Sequence, residues 1–176
     1  MKKLFLYAVC LPNDIAMVLS LLVVRLLWGS SFLIKNGGLW VVLKENSKFW
    51  DEWTLSYSGV CLGHGGIFAS PVKIISVVHE AVHLEQFEVS MLKSFLSASV
   101  AFIVCAILCP YKIALMIFLC VWPFGYLFYL ISGWLVAFLR GESPYKGSSH
   151  EEAAYAIAED YLRRKEGADA PRRILK

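Results

Sequence analysis

Two apolar blocks organise the chain. From Ile15 to Ile34 the only charged residue is Arg25, and from Phe95 to Leu139 the only one is Lys112. An α-helix rises about 1.5 Å per residue, so about 20 apolar residues cross the hydrocarbon core of a bilayer. The second block is long enough to cross twice. Pro110-Tyr111-Lys112 is its natural turn, because proline breaks a helix and lysine seeks water. Pro123 and Gly125 predict a kink in the second arm. The first block predicts a helix from Ile15 to about Trp28, capped by Asn13 or Asp14. Arg25 leaves two readings of that helix: a span in which the arginine is paired or reaches the interface, or an amphipathic helix lying on the membrane.

The segment between the blocks is the water-soluble part. Leu39 to Leu43 is a β-rich run, Glu45-Asn46-Ser47 reads as a turn, and Trp53 to Tyr57 alternates apolar with polar residues. Gly59 to Ala69 is a second β-like stretch with four glycines, which imply bulges or close backbone approach. A small sheet of two to four short strands is therefore expected before the next helix. Ser70 as N-cap and Pro71 at the first helical position predict where that helix starts.

Composition agrees with a membrane protein. The chain has 176 residues, 58% hydrophobic and 18% charged, with a mean hydropathy of +0.59. Soluble proteins average about 45–50% apolar and about 25% charged. Intrinsic disorder is excluded, since it needs low hydrophobicity and high charge. The net charge of +3, without a basic stripe, excludes a nucleic-acid partner. Lys2-Lys3 and the apolar run after them look like the start of a signal peptide. Pro12, Asn13 and Asp14 interrupt it and no A-x-A site follows closely, so it reads as uncleaved. Cys10 follows the bulky Val9 and does not read as a lipidation site. The five cysteines form no C-x-x-C pair; they read as small buried hydrophobes, and their odd number points to a reducing compartment.

The helix after Pro71 carries the chemistry. It contains H-E-x-x-H as His79, Glu80 and His83, which uses two of the four histidines in the chain. Residues four apart share a helix face, so both imidazoles can reach one zinc ion at about 2.0–2.1 Å. Glu80 then projects beside the metal, where it can take a proton from a bound water. Apolar neighbours such as Val78 and Val82 imply burial, and buried histidines need partners. A catalytic zinc needs a third protein ligand, and His150, Glu151 and Glu152 are the downstream candidates. They open a helix whose Ala153, Ala154, Ala156, Ile157 and Ala158 offer a small-residue face. Ser148 with Glu151, or Ser149 with Glu152, also matches a capping box, so either glutamate can be a cap. Gln86 lies on the face of His79 two turns on, as a residue orienting a ligand or as a polar surface group. His64 is either a donor to an oxyanion in the cleft or a histidine in a turn.

H-E-x-x-H, a membrane hairpin and then E-x-x-A on a helix resemble the membrane-embedded gluzincins, which include the bacterial heat-shock membrane protease and the CAAX prenyl endopeptidase. The resemblance implies that Glu151 is the third ligand, because the family's glutamate begins E-x-x-A-D. Tyr155 stands where that family has aspartate, so nothing the aspartate does carries over. Gly63-His64, then H-E-x-x-H-x-x-Q from His79 to Gln86, then Glu151, also resemble small bacterial metallopeptidase-like proteins over residues 39 to 158.

These readings give an α+β membrane protein, mostly helical, with a small β-sheet before the H-E-x-x-H helix and a transmembrane helical hairpin between the metal-binding helices. Its parts are an N-terminal apolar helix (1–34), the sheet with the metal helix (35–94), the hairpin (95–139), the third-ligand helix (140–166) and a flexible basic tail (167–176). A hairpin returns the chain to the side it left, as one metal held by His79, His83 and Glu151 requires. Lysines and arginines of the 35–94 segment and of the tail place that side in the cytoplasm, at a bacterial inner membrane. The function expected is zinc-dependent hydrolysis of peptide bonds at the membrane surface, on a peptide or a membrane protein, with Glu80 catalytic. Gln86, His64 and Tyr155 are candidate orienting or transition-state groups. The alternative is a non-catalytic membrane protein with a structural or vestigial metal site.

Overall fold

A computed structural model describes residues 2–28, 31–35, 38–44, 59–143 and 147–166. Helix α1 (Lys2–Trp28) leads into strands β1 (Ser31–Lys35) and β2 (Gly38–Val42). Strands β3 (Gly59–Cys61) and β4 (Gly65–Phe68) follow, then the long helix α2 (Ile74–Leu108). The return arm is α3 (Tyr111–Val121), a 3-10 turn (Trp122–Phe124) and α4 (Gly125–Leu139), and α5 (Ser149–Glu166) closes the fold. The turn expected at Glu45-Asn46-Ser47, the strand at Trp53–Tyr57 and the basic tail lie outside the described residues.

The four strands form one sheet in the order β1-β2-β4-β3. The outer pairs β1–β2 and β3–β4 are antiparallel, and β2–β4 is parallel. Strand β1 differs from expectation, because residues 31–34 continue the apolar run of the preceding helix and carry no period of their own. Strand β2 is buried on both faces, so it reads as a continuous apolar run. Val41 and Leu43 pack with Met17, Leu21 and Val24 of α1 on one face. Trp40 packs with Phe68, Val77 and Leu84 on the other. Gly63, at φ 112°, makes the turn from β3 to β4 in a backbone region that favours glycine. A Cβ at Gly65 would strike the carbonyl of Leu39, and one at Gly66 that of Val60, which is the close backbone approach the glycines imply.

Helix α1 does not start at Asn13 or Asp14 but passes through Pro12 from Lys2. These two polar residues point inward instead of capping. Asn13 Nδ2 donates to the carbonyl of Pro123 at 2.9 Å, and Asp14 meets His64. Their partners lie far along the chain, so a local capping pattern could not reveal them. Arg25 sits in the last turn of α1 with its guanidinium 4.6 Å from the ring centre of Phe32.

Helix α2 begins at Ile74, with Lys73 in extended backbone before it and no side-chain cap, so Ser70 and Pro71 are not its first residues. The chain uses 69–73 to leave the sheet, and Val72 packs against the Trp40–Phe68 cluster on the way. The boundary expected between 94 and 95 falls inside α2, so the metal helix and the first hairpin arm are one helix. The turn at Pro110 and the break at Pro123 are where the sequence places them. Ser94 Oγ lies 3.2 Å from the carbonyls of Val121 and Trp122, next to the 3-10 break. Among the described residues three helices are long and apolar enough to cross a membrane: α1, α2 and the α3–α4 arm. Hardly any of the most apolar stretch of α2 or of the return arm is buried, which leaves residues such as Val100, Ile107, Leu119 and Phe138 exposed. The cysteines are free; Cys10 is buried, Cys61 and Cys105 are half-buried, and Cys109 and Cys120 are exposed on this apolar surface.

Candidate metal centre

Helix α2 packs on the sheet through Val77 and Leu84 and also against α1 and α5, so its histidines are taken out of water. His79, Glu80 and His83 are all buried. Helix α5 packs along α2 and seats its Ala154 and Ala158 in the contact, both fully buried. Ala153, Ala156 and Ile157 face outward, so the small-residue face is narrower than expected. The same seating turns Glu151 inward and Glu152 to solvent.

His79, His83 and Glu151 form a buried group that could hold a metal ion. Nε2 of His79 lies 3.1 Å from Nε2 of His83. Glu151 Oε2 lies 3.2 Å from the first, and its Oε1 lies 3.4 Å from the second. A tetrahedral ion bound at about 2.0–2.1 Å needs donor–donor edges of about 3.3 Å, and each imidazole nitrogen stands about that far from the other and from one oxygen of the carboxylate. The polar atoms around them are under-satisfied: His79 Nδ1, Glu80 Oε2 and Glu151 Oε2 are buried without a hydrogen-bond partner. Buried polar atoms are normally paired by good hydrogen bonds, and Glu151 Oε2 has only the 3.2 Å approach of His79 Nε2. Burial works against the Glu151 carboxylate, but the two imidazoles outweigh it and take its pKa down to about 2.

Gln86 supports the group. Its Oε1 accepts from His83 Nδ1 at 2.8 Å, and its Nε2 donates to the carbonyl of His150 at 3.0 Å. An amide oxygen only accepts, so Nδ1 carries the proton and Nε2 of His83 presents its lone pair to the centre. The same side chain ties α2 to the first turn of α5 beside Glu151. The ring of Tyr155 packs on that of His79, with centroids 4.4 Å apart.

Two alternative ligands are not in the group. Glu152 is exposed, and His150 is buried against Tyr129 and against Gly133, where a Cβ would collide with its ring. Burial holds the His150 pKa below its ordinary value. His64 lies in the β3–β4 turn, not at an oxyanion position. Its Nδ1 meets Asp14 at 2.8 Å and its Nε2 meets Glu88 at 3.1 Å. The neighbouring Cys61 Sγ donates to the carbonyl of Gly63 at 3.2 Å. Burial, and then the charge of Glu80, push its thiol up and away from the reactive thiolate.

A cavity of about 230 Å³ opens beside the group. Glu80, His83 and Glu151 form its inner end, the edge strand β3 forms one wall, and Tyr126, Leu130 and Trp134 of α4 form the other. Gly59 lets β3 come this close, since a Cβ there would sit 3.1 Å from Glu80 Cγ. The α4 wall was not anticipated from the sequence. Its one signal is spacing by four, which puts the three side chains on one stripe of the helix. Gly133 carried no signal. Comparison with protein-family models, curated proteins and solved structures gives no significant match.

Proposed function

We propose that the protein is a zinc-dependent metallopeptidase of the gluzincin type, acting at the surface of a membrane with its site on the cytoplasmic side. The observation that carries this reading is the donor triangle of His79, His83 and Glu151 with Glu80 on the wall of an accessible cavity. Two imidazoles and one carboxylate leave a fourth tetrahedral position for a water or a carbonyl, which is the arrangement of a catalytic zinc rather than a closed structural one. Bound zinc would polarise a carbonyl and lower the pKa of a water towards about 7.

The chain's own groups do the rest. Glu80 holds an unpartnered Oε2 at the inner end of the cavity, placed to accept a proton from the attacking water and to deliver it to the leaving amine. Gln86 keeps the His83 ring in one tautomer and orientation. Tyr155 fixes the plane of His79 by ring contact. The sheet on one side and α4 on the other limit water at the reacting bond. Helix α2 passes directly from the site into its apolar half, so the site lies at the level where a membrane-spanning segment enters the bilayer.

The test is Glu80→Gln in zinc-loaded protein, assayed on a library of unstructured peptides. The expected result is unchanged zinc content with hydrolysis reduced about 10²–10⁴-fold. Hydrolysis at the wild-type rate in the variant would contradict the role of Glu80. Zinc-loaded wild type that cleaves nothing would leave a structural metal site.

A further inference from the structure

We infer that the cavity beside the metal centre is a subsite for one large apolar side chain of the substrate, and that Trp134 and Leu130 of α4 set this preference. The inference rests on the metallopeptidase reading. Tyr126, Leu130 and Trp134 recur every fourth residue, so one stripe of α4 faces the cavity. Val60 and Leu62 stand opposite. Among the described residues of the lining the only ionisable groups beside the metal donors are Glu80, Cys61 and Tyr126, and none is a cation. A charged side chain of either sign would have to shed water against the apolar wall of Leu130 and Trp134.

Size points the same way. A dry cavity of about 150 Å³ lined by aliphatic side chains holds benzene. A space of about 230 Å³ therefore admits a leucyl or benzyl group, yet it is smaller than the 300 Å³ or more typical of whole-ligand sites. Position explains where such a side chain comes from. Helix α4 belongs to an arm long and apolar enough to cross a membrane, and Trp134 lies near its C-terminal end and is 43% exposed. Tryptophan in the last turns of a spanning helix sits at the headgroup level. One wall of the subsite is thus part of the membrane-facing surface, and an apolar residue of a segment lying in the interface reaches it without crossing water.

Two hydroxamates test this on the full chain, zinc-loaded and in nanodiscs. Acetohydroxamate reports the metal alone, and 3-phenylpropanohydroxamate adds a benzyl group. In the wild type the second should bind at least about tenfold more tightly than the first, as for burial of one large apolar group. In Trp134→Ala and Leu130→Ala the advantage should fall below about threefold while acetohydroxamate affinity stays unchanged. Equal affinity of the two probes in the wild type, or an undiminished advantage in both variants, would overturn the subsite while leaving the metal reading in place. Failure of both probes on zinc-loaded wild type would overturn the metal reading and the subsite with it. If Trp134→Ala loses both probes, the same ratio in Leu130→Ala decides.

Discussion

Two histidine clusters share helix α2, and they are built in opposite ways. At His64 both ring nitrogens are answered, by Asp14 from α1 and Glu88 from α2. The cluster is a closed circuit that pins the β3–β4 turn between two helices. At His79 and His83 the donors face one another at 3.1 Å, and Nδ1 of His79, Oε2 of Glu80 and Oε2 of Glu151 have no hydrogen bond. That circuit is open at its centre. Among the described residues the other buried side-chain atoms without a hydrogen bond are the two ring nitrogens of His150, the neighbour of Glu151, so the unpaired atoms gather where α2 meets the start of α5. A small cation suits the open centre, because each of the three facing groups offers a lone pair and the edges fit tetrahedral bonding.

Substitutions should separate the two clusters cleanly. The larger effect belongs to Gln86. Gln86→Leu removes the acceptor that orients His83, and zinc affinity should fall about 10–100-fold, read by competition with a chromogenic chelator. A change of less than twofold would show that Gln86 only ties α2 to α5. The next effect belongs to the closed circuit. Asp14→Asn leaves the half-buried His64–Glu88 pair with a mismatched partner. It should cost about 1–3 kcal/mol of stability in thermal unfolding while zinc content stays the same. Loss of zinc in that variant would mean that the clusters are coupled.

The smallest effect is in pH. Burial disfavours charge on His64, but the hydrogen bonds and charges of Asp14 and Glu88 outweigh it and raise its pKa above the ordinary 6.5. A raised folded value gives stability that is complete below 6.5 and is lost as pH rises through that raised value. Metal-free wild type should therefore lose stability as pH rises above 6.5, and His64→Gln should flatten that dependence. A slope of the same size in the variant would assign it to other groups.

The two clusters also differ in how far the sequence announces them. His79, Glu80 and His83 are legible because a spacing of four matches the helix period. By spacing alone Glu151 is one of three neighbours; the E-x-x-A resemblance singles it out, and the seating of its helix separates it by burial from the exposed Glu152. The hairpin and both its breaks follow from Pro110 and Pro123, whose missing N–H acts locally. Asp14, His64 and Glu88 are not legible, because they meet across 50 and 24 residues and each has a plausible local reading as a cap, a turn or a surface charge. The apolar wall of α4 is hidden for another reason. A side chain that lines the cavity and one that faces lipid are both simply apolar in the sequence, and only packing tells them apart.

Metal content tests the account most directly. Wild-type protein purified in detergent from zinc-supplemented culture should carry about one zinc per chain, as one three-donor site predicts. His79→Ala and Glu151→Ala should carry none, and Glu152→Ala should match the wild type. Absence of zinc from the wild type, or zinc retained in Glu151→Ala, would contradict the claim that His79, His83 and Glu151 are a metal centre.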